Sequence, residues 1–109
     1  MGFRLDDVAL NILLSFDAET NQWLSHCLEL DLMEQGDTPL ESLKTLFKNA
    51  QVYLTECAKS DIDFVFTAPP EDWRNYFKAK PISLEDLHTT TTTFPPNIIV
   101  RSTQNLHVS

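Results

Sequence analysis

The chain has 109 residues, with 16 acidic against 8 basic side chains, a formal charge of −8 and 42% apolar residues. Its length allows one modest core and no second one, and its apolar content sets it apart from disordered chains. The eight bases are scattered, so the lysine or arginine patch that a duplex binder needs is missing and no direct nucleic-acid binding is expected; the acid surplus suits either a well-solvated surface or a basic partner.

Val8, Leu10, Ile12, Leu14 and Phe16 alternate along the chain, which predicts a strand over residues 8–16. The polar stretch 17–22 reads as a hairpin connection, residues 22–28 as a second strand, and residues 31–35 as a short third one. Together they predict a three-stranded antiparallel meander.

Gly36-Asp37-Thr38-Pro39 punctuates the chain. Thr38 is a good N-cap, Pro39 falls at the first helical position, and Glu41 completes a capping box. The helix is expected to run to about residue 58. Leu40, Leu43, Leu46, Phe47, Ala50, Tyr53, Leu54 and Cys57 recur at three- and four-residue steps and form one apolar stripe, read as core. Lys44, Lys48, Gln51 and Glu56 lie outside it.

Ile62, Phe64 and Phe66 alternate within residues 61–67, predicting a fourth strand. Pro69-Pro70 open a short helix with acids in its first turn, lysines in its last, and Trp73 and Phe77 on one face. Pro81 stops it. Beyond it come five threonines, Thr89 to Thr93, then Ile98, Ile99 and Val100, which favour extended structure. The expected organisation is α+β: a domain over residues 1–80, an antiparallel β-β-β-α-β sheet carrying one long helix and a short helix, and an extended arm or edge strand over residues 81–109.

Cys27 and Cys57 form no CxxC pair, and no Cys/His cluster has zinc spacing. Two isolated thiols fit a reducing cytoplasm. No stretch reaches the roughly 20 apolar residues of a membrane span, and the first ten residues lack the apolar run of a signal peptide. No catalytic, cofactor or metal residues are assigned. Neighbouring strand residues point to opposite faces, so His26 and Cys27 do not make a thiol–imidazole pair. Trp23 is either an interface anchor or a packing residue beside the tail.

The string Trp23-Leu24-Ser25-His26-Cys27-Leu28-Glu29-Leu30-Asp31-Leu32, followed by Gln35-Gly36-Asp37-Thr38-Pro39 and the leucine-rich helix, resembles the HicB-like antitoxin domain over roughly residues 8–70. Ser42 stands where that family's Gly-Asp-Thr-x-x-Glu-Ala motif has alanine. The resemblance implies a truncated ribonuclease H-like fold. It also implies a non-enzymatic interaction module, either an antitoxin that neutralises a small basic ribonuclease toxin or an orphan relative. A DNA-binding module usually follows in that family, whereas residues 82–109 show no helical period and little positive charge.

The alternative is a metal-dependent nuclease remnant of ribonuclease H type, which needs carboxylates converging on metal ions. Asp17, Glu29, Asp31 and Asp37 are the available acids. The residues expected to meet a partner are Trp23, Glu29, Asp31, Ile98, Ile99 and Val100. The expected partners are a second copy of the chain, as a homodimer, and a small basic toxin, with no membrane.

Overall fold

The structure, a computed structural model, describes residues 9–59, 67–82 and 98–103. Strands β1 (Leu10–Asp17) and β2 (Gln22–Cys27) form the expected hairpin. Asp17 organises its turn by accepting from the Glu19 backbone N–H at 3.1 Å and the Thr20 hydroxyl at 2.8 Å. Asn21 takes a left-handed φ of 57°, which asparagine tolerates better than most residues. Strand β3 (Leu32–Gly36) pairs antiparallel with β2 after a turn in which Asp31 has φ 51°.

Helix α1 (Pro39–Lys59) starts where the capping pattern predicts. The Glu41 backbone N–H donates to Thr38 Oγ1 at 3.1 Å, and the Glu41 carboxylate accepts from the Asp37 backbone N–H at 3.2 Å. The reciprocal bond therefore reaches one residue further back than in the standard box. At Gly36 an added Cβ would sit 2.6 Å from the Ser42 backbone nitrogen, so glycine allows the strand to run directly under the helix start. The apolar stripe faces the sheet: Leu43, Leu46, Phe47, Ala50 and Leu54 are all buried and pack on Leu10, Ile12, Leu14, Cys27, Ile98 and Val100. Each of the leucines, isoleucines, Phe47 and Val100 in this set contributes about 1.5–3 kcal/mol by leaving water, and Ala50 less.

Helix α2 (Pro70–Lys78) follows, then the short strand β4 (Lys80–Ile82) and strand β5 (Ile98–Ser102). Among the described residues the sheet has five strands in the order β3-β2-β1-β5-β4. This corrects the expected all-antiparallel sheet with a C-terminal arm at its edge. β5 runs parallel to β1, with Leu10 opposite Ile98 and Leu14 opposite Ser102, and antiparallel to β4. An interior position buries both Ile98 and Val100, which an edge would leave half open. The edge goes instead to β4, where Pro81 and Lys80 discourage further pairing. Residues on both sides of the boundary expected at 80/81 thus share one sheet. The strand expected over residues 61–67 falls on positions of which 61–66 lie outside the described residues.

Candidate functional site

β1 presents Leu10, Ile12 and Leu14 to α1, so its alternate residues Asn11 and Leu13 face the other way. On that second face a smaller core forms from Leu13, Leu28, Ala68 and Tyr76, with Trp73 and Ala79 against it. Helix α2 lies over this cluster with Tyr76 as its one buried residue. The Ala68 backbone N–H donates to the Leu28 carbonyl at 2.8 Å, tying the chain before α2 to the β2–β3 turn.

A polar network holds the junction. The Tyr76 hydroxyl donates to Asn11 Oδ1 at 2.8 Å. The Asn11 side-chain amide donates to Glu29 at 2.5 Å, and its backbone N–H donates to the other Glu29 oxygen at 2.7 Å. Burial raises the Tyr76 phenol above its ordinary range and the Glu29 charge adds to this, while Arg101 opposes it. Arg101 lies 5.0 Å from the Tyr76 ring centre and 5.8 Å from that of Phe77. Its guanidinium also donates to the carbonyls of Phe77 and Ala79, both at 3.3 Å, at the helix C-terminus where a cation is favoured.

Beside this network His26 Nε2 and Asp31 Oδ1 lie 2.8 Å apart, with the His26 side chain only 8% exposed and that of Asp31 46% exposed. Asp72, in the first turn of α2, completes a group of three whose ligand atoms all lie within 4.8 Å of one another. An imidazole and two carboxylates so arranged are able to hold a metal ion.

No protein-family model, curated protein or solved structure matches the chain.

The residues singled out from the sequence separate. Glu29 and Asp31 share one turn but serve different partners, Asn11 and His26. Asp17 holds the hairpin turn, and Asp37 accepts from the Gln22 side chain at 2.5 Å. The four acids named for nuclease chemistry thus lie in separate local networks. Trp23 pairs edge-to-face with Phe16, ring centres 5.5 Å apart, on the α1 side of the sheet near the hairpin end. Ile98 and Val100 are core residues, while Ile99 is 55% exposed.

Cys27 points away from His26 into the α1 core, and burial pushes its thiol up to about 12. The sequence marks Asp72 only as a first-turn acid of α2 and does not single out Asn11, Tyr76 or Arg101 as site residues. The one available signal was Tyr76, three residues after Trp73 on a short amphipathic helix.

α2 covers only part of the second face. Met33, the strand partner of His26, is 54% exposed, and Phe77 on α2 is 64% exposed. Leu24, two residues before His26 on the same face, is partly open as well. Among the described residues no helix is long and apolar enough to cross a membrane.

Proposed function

We propose that this chain is a non-enzymatic protein-interaction module of the HicB-like type, whose partner is a small basic protein met on the second face of the sheet. The observation that carries this reading is the open side of that face, where Met33 is exposed on the strand next to His26 and the carboxylates of Asp31 and Asp72 gather at His26. An apolar centre rimmed by acid fits a partner with the opposite charge. Pairing of two copies through this face would bring together chains that each carry −8, so a basic partner is favoured over a homodimer. Among the described residues no strand pairs with the outer edge of β3, which suits backbone pairing with a partner. The non-enzymatic reading is supported by the separate partners of Asp17, Glu29, Asp31 and Asp37, which do not converge on one another.

The test is to look for a small basic protein encoded in the adjacent reading frame and, where there is one, to titrate the full chain with it at low and at high salt. A complex that weakens with salt and is disrupted by Met33→Asp, with circular dichroism unchanged, is the expected result. Undiminished binding by Met33→Asp would move the interface elsewhere. Absence of any complex, together with Mg²⁺-dependent RNA cleavage by the chain alone, would overturn the reading in favour of the nuclease.

A further inference from the structure

We propose that His26, Asp31 and Asp72 form a binding site for a divalent transition-metal ion of the zinc class, which ties the β2–β3 turn to the first turn of α2. Their three ligand atoms lie within 4.8 Å of one another, with the closest pair, His26 Nε2 and Asp31 Oδ1, at 2.8 Å. A tetrahedral zinc ion with bonds of about 2.0–2.2 Å sets its ligand atoms about 3.4 Å apart. That spacing is wider than the 2.8 Å pair and falls inside the 4.8 Å limit that encloses all three ligand atoms.

The chemistry of the donors selects the ion. An imidazole nitrogen with two carboxylates suits zinc, cobalt or nickel, whereas magnesium and calcium prefer oxygen alone. Burial of the imidazole restricts its freedom before any ion arrives. The exposed flank of Asp31 leaves room for water in the fourth position, as three-ligand sites have. Two carboxylates brought to one histidine repel each other, and a dication removes that repulsion.

The simpler reading is a His26–Asp31 pair beside an acid that favours the positive end of α2. Under it, zinc finds no specific site. The two readings differ at Asp72, because the ion pair does not need it and the metal does. The site shares Asp31 and Asp72 with the acidic border of the proposed partner face, but zinc titration of the chain alone reads it with no partner present.

The experiment is calorimetric titration of the EDTA-treated full chain with Zn²⁺, accompanied by thermal melts and by Co²⁺ absorption spectra. One equivalent is expected to bind, to raise the melting temperature, and to give Co²⁺ a tetrahedral spectrum. Asp72→Asn should weaken binding about tenfold or more, the loss that even a ligand's supporting partner can produce. His26→Gln should do the same. A combined His88→Ala, His107→Ala and Cys57→Ala variant should bind as the wild type does. If His26→Gln does not fold, Asp72→Asn, checked by circular dichroism, decides alone. No saturable zinc binding, full affinity in Asp72→Asn, or displacement by excess Mg²⁺ would overturn the proposal.

Discussion

The Tyr76 hydroxyl donates to Asn11 Oδ1 at 2.8 Å, joining residues that stand 65 apart in the chain. The bond closes a path from α2 through β1 to Glu29 in the β2–β3 turn. Tyr76→Phe keeps the ring and removes the donor, leaving Asn11 short of one partner in a partly buried site. The expected cost is about 1–3 kcal/mol, read from the urea midpoint. A midpoint equal to the wild type would mean that water replaces the hydroxyl without loss.

Leu46 and Leu54 are fully buried between α1 and the sheet. Leu46→Ala or Leu54→Ala should each cost about 2–5 kcal/mol, combining lost transfer energy with the cavity left behind. Urea or thermal melts measure this directly, and wild-type stability in both variants would show that the stripe does not carry the core.

Thr38 caps α1 through the Glu41 backbone N–H. Thr38→Ala should cost about 0.5–2 kcal/mol. Glu41→Ala should cost less, because its carboxylate serves only the exposed Asp37 N–H. A larger loss at Glu41 than at Thr38, measured by the same melts, would reverse this assignment.

β5 is an interior strand, so its removal should be far more damaging than the loss of an arm. Deleting residues 98–109 takes Ile98 and Val100 from the core, leaves β1 without one neighbour, and removes Arg101 from Tyr76. Loss of the cooperative thermal transition is expected. A truncated chain that kept its circular dichroism and a sharp melt would show that β1, β2, β3 and α1 fold without it.

Cys27 provides a pH test. Burial raises its thiol from 9.0 to about 12, so the folded chain holds this proton more tightly than the unfolded chain does. Its contribution is complete below about pH 9 and is lost progressively as pH rises toward 12. Tyr76, also raised by burial, acts in the same direction. Stability measured by urea melts should therefore fall above about pH 9, and Cys27→Ala should flatten part of that fall. A thiol reagent should label Cys27 only upon unfolding.

The local elements were legible because their signals are local. Period-two alternation at Leu10, Ile12 and Leu14 marked β1, and Thr38, Pro39 and Glu41 marked the start of α1 to the residue. The buried face of α1 followed from three- and four-residue spacing, since a helix has only one side to turn toward a sheet. The opposite facing of His26 and Cys27 followed from the strand pleat in the same way.

What tertiary structure alone decided is where β5 pairs and what the second face assembles. Ile98, Ile99 and Val100 announced an extended segment, but strand order depends on which neighbour buries it best, and that neighbour, β1, lies almost the whole chain away. Asp72 and His26 came from elements read separately, and neither carries a mark of the other in its own neighbourhood. Short-range patterning determines which side of each element is apolar. The meeting of Asn11, Glu29 and Tyr76, or of His26, Asp31 and Asp72, arises only when α2 docks on the sheet and sequence distance ceases to matter.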